Sequence, residues 1–222
     1  MSANALRYRA VLFDLDGTLV DSYSALAEAV NHARRTHGLR DLGASRIKEF
    51  VGDGIERLLQ RAFERTDVPR SVHDAFVSRY DEVCCAESKV LADVETTLDR
   101  LSKLRVKMAV CTNKTTFFSK KILDFLGLSR HFAAIVGPDM AGARKPEAKH
   151  LLFTLDSVEC DPKHALFVGD MPVDVRAARN SGLDVAVVPT GSSTREELVA
   201  AKPDHFLERF SDLMKIVRRE AA

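Results

Sequence analysis

The densest chemistry in the chain lies in Asp14, Leu15, Asp16, Gly17 and Thr18, which directly follow the apolar run Ala10, Val11, Leu12 and Phe13. A short apolar run closed by a glycine turn reads as a buried strand. On an extended segment, side chains at i and i+2 point the same way. Asp14 and Asp16 would therefore share one small volume at the strand's end. Two like charges that close repel each other, so the pair calls for a bound cation, a shared proton or both. An Asp- and Gly-rich turn is the plainer alternative. With each fixed residue at about one in twenty, D-x-D-G-T arises by chance in roughly one chain in a thousand of this length.

Three further groups carry weaker signals of the same kind. Thr112 and Asn113 follow a second apolar run, where a hydroxyl and free backbone N–H groups suit a phosphate oxygen or simply cap a helix. Lys145 and Pro146 precede a helical pattern starting near Glu147; proline favours a helix start, and a lysine beside that positive end suits an anion. Taken singly, Lys145 would be an ordinary solvated lysine. Gly169, Asp170, Met171, Pro172, Val173 and Asp174 place two more carboxylates after a further apolar run. That number of oxygen ligands suits Mg2+, a hard octahedral cation.

These groups must be positioned by the elements that precede them. Short apolar runs at 10–13, 108–111, 133–136, 165–168 and 185–188 read as strands, most of them followed by a helical pattern. The span 116–126 puts Phe118, Ile122, Phe125 and Leu126 on one stripe and stops at Gly127. The span 147–155 does the same with Ala148, Leu151, Leu152 and Leu155, and 173–181 ends at Gly182. Alternating strands and helices predict an α/β fold with a doubly wound, Rossmann-like parallel sheet, whose ligands bind beyond the C-terminal strand ends. Residues 22–88 break the alternation. They hold no convincing strand but carry helical stripes, Ile55, Leu58, Leu59, Ala62 and Phe63, then Val72, Ala75, Phe76, Tyr80 and Val83. This predicts an inserted all-helical cap at 21–88 between core segments 1–20 and 89–222.

Composition excludes several classes. With 33 Lys and Arg against 32 Asp and Glu, the net charge of +1 offers no field for nucleic acid or an anionic membrane. No apolar stretch approaches the ~20 residues that span a bilayer, and positions 1–9 lack the apolar core of a signal peptide. Cys84, Cys85, Cys111 and Cys160 form no C-x-x-C pair or zinc spacing, which reads as reduced thiols in a cytoplasmic protein. Cys111 sits in an apolar run and reads as core.

Taken together, these residues resemble the motifs of the haloacid dehalogenase-like superfamily of phosphohydrolases. Asp14 to Thr18 match its first motif, Thr112 its second, Lys145 its third, and Gly169, Asp170 and Asp174 its fourth. The resemblance implies Asp14 as nucleophile, forming an aspartyl-phosphate, and Asp16 as general acid and base. It implies Mg2+ on the Asp14 carboxylate, the Asp16 carbonyl and Asp170, with Asp174 nearby, and Thr112, the Asn113 N–H and Lys145 on the phosphoryl oxygens. The carboxylate at position 16 argues against dehalogenase chemistry. Within the superfamily, the stretch from Phe13 to Ser22, Phe50 to Gly54 and Cys111 to Lys114 is similar to the phosphoglycolate phosphatases. That similarity makes Gly52, Asp53 and Gly54 a substrate-facing loop, with Arg57 as partner for a substrate carboxylate; a turn between helices is the plainer reading. Two departures stand out: Ala148 where many relatives carry a second proline, and Met171-Pro172 where a small polar residue often follows the metal-binding aspartate.

The expected activity is Mg2+-dependent hydrolysis of a small phosphorylated metabolite, 2-phosphoglycolate foremost. Pyrophosphate and nucleoside or sugar monophosphates are alternatives within the same chemistry. A β-phosphoglucomutase-like phosphomutase is a second class, and a non-catalytic phosphate-binding regulator a third.

Overall fold

The computed structural model describes residues 6–218. Along the chain run β1 (Ala10–Phe13), β2 (Val20–Asp21), α1 (Tyr23–Thr36), α2 (Ala44–Lys48), α3 (Ile55–Phe63), α4 (Arg70–Val83), β3 (Lys89–Val90) and α5 (Val94–Lys103). Next come β4 (Lys107–Cys111), α6 (Thr116–Phe125), β5 (Ala134–Val136), α7 (Pro138–Ala141), α8 (Ala148–Asp156) and β6 (Ala165–Gly169). The last are α9 (Pro172–Ser181), β7 (Asp184–Val187), α10 (Arg195–Ala200), β8 (His205–Phe206) and α11 (Leu213–Val217). Among the described residues, no helix is long and apolar enough to cross a membrane.

Six strands form one parallel sheet in the order β5-β4-β1-β6-β7-β8. The continuous apolar runs follow from this topology, because a central parallel strand is covered on both faces. Side-chain alternation splits each strand between two cores. Val11, Phe13, Val110 and Val168 face one, with Leu98, Leu101, Ile122 and Leu213 from α5, α6 and α11. Ala10, Leu12, Cys111 and Phe167 face the other, with Leu151, Leu155, Val175 and Leu198 from α8, α9 and α10. This is the doubly wound arrangement expected from the alternation.

Helices α1 to α4 lie between β2 and β3, which pair antiparallel, Val20 opposite Val90 and Asp21 opposite Lys89. The helical stretch thus leaves and re-enters the sheet domain side by side. α1 packs along α4, and Leu26, Val30, Leu59, Ala62, Phe76 and Tyr80 are buried there.

Some helical details differ from the periodic reading. On α6 the inward face is Phe118, Ser119, Ile122 and Leu123, while Phe125 is 63% exposed. The buried face is centred on Ser119, Ile122 and Leu123, and at 100° per residue Phe125 falls on its flank, while Leu126 still packs against the core. On α8 the inward face is His150, Leu151, Thr154 and Leu155, and Leu152 turns to solvent. α8 begins at Ala148 with extended Glu147 as N-cap, so Pro146, joined by a cis peptide bond to Lys145, stands before the helix rather than at its first position.

Candidate active site

The central strand and its neighbours end together. Phe13 pairs with Val110 on one side and Val168 on the other, and the Asp14 N–H continues the ladder to the Val168 carbonyl at 2.9 Å. The residues just beyond these strands, Asp14, Thr112 and Asp170, therefore meet at one point. This is where the strand order reverses about β1, the usual ligand crevice of such sheets.

Asp14 and Asp16 line one cavity, as the extended reading supposed, but their carboxylates are held by different partners. Gly17 takes φ +83° and turns the chain immediately after Asp16. Each carboxylate has its own ammonium. Lys145 Nζ lies 2.8 Å from Asp14 Oδ1, and Lys114 Nζ lies 2.9 Å from Asp16 Oδ2. Ser22 also donates to Asp16 Oδ1.

The partners of Asp14 arrive instead from the other side of the sheet. Lys145 Nζ donates to Asp174 Oδ1 at 2.8 Å as well, and carboxylate oxygens of Asp14, Asp170 and Asp174 lie within 4.8 Å of one another. Lys145 is only 2% exposed, not the solvated lysine that its residue type suggests. Burial opposes its charge, but Asp14 and Asp174 outweigh burial and raise its pKa. Burial, then the neighbouring carboxylates, push Asp170 upward. Asp174 is also raised, by burial first, with Lys145 pulling against it.

The four carboxylates now separate by role. Both oxygens of Asp174 are engaged: Oδ1 by Lys145, Oδ2 by the N–H groups of Asp170 at 3.1 Å and Met171 at 3.0 Å. Asp174 thus braces the loop. Asp170 Oδ1 accepts from Thr18 Oγ1 at 2.7 Å, but its Oδ2 is buried without a donor. A buried carboxylate oxygen left unpaired is expensive. Its surroundings are kept open by glycine: a Cβ at Gly191 would fall 1.5 Å from that oxygen, and one at Gly17 2.5 Å from it. Hard oxygen donors and this orphaned atom fit a divalent cation such as Mg2+.

Asn113 ties the site together. Its Oδ1 accepts from the Lys145 N–H at 2.8 Å, and its Nδ2 donates to the carbonyls of Lys145 at 3.2 Å and Gly52 at 3.0 Å. Thr112 Oγ1 accepts from the Lys114 N–H at 3.3 Å. Gly52 and Gly54 both have positive φ. A Cβ at Gly52 would lie 2.2 Å from Met171 Sδ, so this loop sits directly on the core's departure residue.

A cavity of about 70 Å3 opens beside Asp14 and Asp16. Leu26, Val51, Ile55, Leu58, Phe76 and Phe118 line it, as do Gly52, Gly54, Thr112, Asn113 and Tyr80, with Lys114 its one cation. Asp53 and Arg57 do not line it; they line a neighbouring cleft that also reaches Lys145. Asp53 pairs with Arg61 at 2.5 Å and Arg57 donates to Gln60 at 2.9 Å. The reason is the phase of α3: Leu58 and Leu59 take its inward face and leave Arg57 exposed.

Lys114 and Gly191 are the residues that sequence reasoning gave no role. Gly191 carried a usable signal, a glycine just beyond the strand β7 on the ligand side of the sheet. Cys111 is core as expected, with burial pushing its thiol up to about 12.

Residues 11–188 match the haloacid dehalogenase-like hydrolases, and the chain belongs to that family. It is a phosphatase-type enzyme, a phosphoric monoester hydrolase. It is similar to the phosphoglycolate phosphatase of Chromobacterium violaceum, at 36% identity over 96% of this chain and 99% of that one. It is likewise similar to that of Agrobacterium fabrum, at 34% identity over 95% of each. A crystal structure titled as a predicted phosphoglycolate phosphatase from Haemophilus somnus superposes with a TM-score of 0.88 at 29% identity, covering 95% of this chain and 98% of that one.

Proposed function

We propose that this phosphatase hydrolyses 2-phosphoglycolate in a Mg2+-dependent reaction through an aspartyl-phosphate on Asp14. The observation that carries this reading is the cavity: Asp14 and Asp16 stand at one wall, and about 70 Å3 of space lies beyond them. The cavity opens directly on both carboxylates and is otherwise lined largely by apolar side chains, as a small phosphate ester requires. The relatives named above support the same substrate.

In this reading the Asp14 carboxylate attacks phosphorus while the ester P–O bond breaks, and the departing alkoxide takes a proton from Asp16. Asp16 then takes the proton of a water that attacks the aspartyl-phosphate, releasing phosphate and restoring Asp14. Lys145 neutralises the phosphoryl oxygens, together with the Thr112 hydroxyl and the Asn113 N–H, the positioning and charge stabilisation on which phosphoryl transfer depends. Asp14, the Asp16 carbonyl and Asp170 would hold Mg2+, with Asp174 bracing Asp170. Bound there, Mg2+ supplies charge neutralisation for the transferring group. Residues 21–88 act as the cap over the leaving group, on core segments 1–20 and 89–222, and the Gly52 to Gly54 loop is its contact with the core.

The test is phosphate release from 2-phosphoglycolate, pyrophosphate and β-glucose 1-phosphate, each with Mg2+ and with EDTA. The expected result is Mg2+-dependent turnover with 2-phosphoglycolate preferred. Preference for pyrophosphate, or conversion of β-glucose 1-phosphate without phosphate release, would overturn the substrate assignment. Turnover undiminished in EDTA would overturn the metal.

A further inference from the structure

Lys114 is a buried cation that the hydrolytic steps leave without a task. It stands two residues beyond Thr112, and its side chain is 7% exposed. An ammonium has three N–H donors. One faces Asp16 Oδ2 at 2.9 Å and one the Tyr80 hydroxyl at 2.7 Å, with the ammonium 4.7 Å from the Tyr80 ring centre. Among the described residues no third acceptor lies within hydrogen-bond distance. Lys114 is also, among the described residues, the one cation lining the cavity, whose apolar lining includes Leu58, Phe76 and Phe118.

A leaving group in this cavity meets hydrocarbon on most sides and a single positive charge. Buried charges are tolerated when paired. An anionic leaving group thus gains its one counter-ion at Lys114, and a dianionic one such as orthophosphate is left half neutralised. Position sets the length as well. The leaving oxygen must lie within reach of Asp16, and the ammonium is 2.9 Å from that same carboxylate. Few bonds then separate the ester oxygen from the group that Lys114 binds.

We propose that Lys114 is the specificity-determining residue of this enzyme, its third N–H receiving a carboxylate carried on the carbon next to the ester oxygen of the substrate. The proposal rests on the phosphatase reading above and deepens it. It moves carboxylate recognition from exposed Arg57, which does not line the cavity, to the buried end of the motif containing Thr112.

The experiment compares kcat/KM for 2-phosphoglycolate, its methyl ester and ethyl phosphate, in wild type and in Lys114→Met, with Mg2+ present. These substrates share the reacting ester and differ in the carboxylate. Wild type is expected to prefer 2-phosphoglycolate, and Lys114→Met to lower the ratio of 2-phosphoglycolate to ethyl phosphate by about 10- to 100-fold, the scale of a lost hydrogen bond to a charged group. Equal losses for all substrates would mean that Lys114 acts only through Asp16 or the fold, and would overturn the proposal. A wild type indifferent to the carboxylate would overturn it without any variant, even if Lys114→Met fails to fold. Failure of wild type to release phosphate from any of them would instead remove the phosphatase reading, and the proposal with it.

Discussion

Lys145→Met separates burial from distance as the source of ion-pair strength. Lys145 lies 2.8 Å from both Asp14 and Asp174, with all three side chains at most 8% exposed. Arg35 and Asp41 lie 2.7 Å apart, but their side chains are 46% and 50% exposed. The distances are alike, so a distance argument expects similar losses. In the buried case, methionine leaves two carboxylates facing each other and Asp170, out of water and without their ammonium. Breaking a buried pair by removing one partner destabilises by about 3–5 kcal/mol. In a chain of this size each kcal/mol moves the melting temperature by about 2–4 °C, so the expected drop is about 6–20 °C. Asp41→Asn removes an exposed pair worth about 0–1 kcal/mol and should shift melting by no more than about 4 °C. The assay is thermal unfolding of both variants at pH 7.5 in EDTA, repeated with Mg2+. Mg2+ should recover part of the Lys145→Met loss by neutralising Asp14 and Asp170, and leave Asp41→Asn unchanged relative to wild type. A Lys145→Met melting point in EDTA within 3 °C of wild type (about 1 kcal/mol) would refute the reasoning.

Asp14→Asn should stay folded and lose at least about 1,000-fold in kcat, since the amide is no nucleophile; wild-type turnover in a folded variant would reject the covalent step. Gly191→Ala should displace Asp170, because the new Cβ would stand 1.5 Å from its unpaired oxygen. A Mg2+ titration of its activity should show weakened activation, and unchanged Mg2+ dependence would mean that Asp170 does not hold the metal. His150 is fully buried on the inward face of α8, and burial, then Lys145, lowers its pKa to about 4 from 6.5. The unfolded chain therefore binds a proton first: the stability is complete above pH 6.5 and lost as pH falls from there toward 4. The loss is about 2 kcal/mol at pH 5. Urea unfolding at pH 7 and pH 5 should show His150→Leu free of that share of the decline, and an identical decline would refute the assignment.

Local chemistry made much of this protein legible. The central strands are runs of four or five apolar residues because both faces of a parallel sheet are covered, and glycine at 17, 127 and 182 marks turns with positive φ. Once those runs are strands, parallel order alone brings Asp14, Thr112 and Asp170 to one edge. The two-residue strands β2, β3 and β8 left no such mark, since so short a pairing is chosen by its neighbours. Periodicity named helix faces but misplaced Phe125 and Leu152, because a stripe says which residues align and not which edge of it the neighbouring layer covers.

The amino-acid sequence by itself determined the strand ends and the residue types assembled there. Only the tertiary structure decided the pairings. Lys145 joined Asp14 and Asp174, Lys114 joined Asp16, Asp174 was spent on backbone amides, and Asp170 kept a buried oxygen with neither a hydrogen-bond donor nor an ammonium. The physical reason is that a lysine's charge is the same wherever it stands in the chain, whereas its burial and its partners are set by segments distant in sequence.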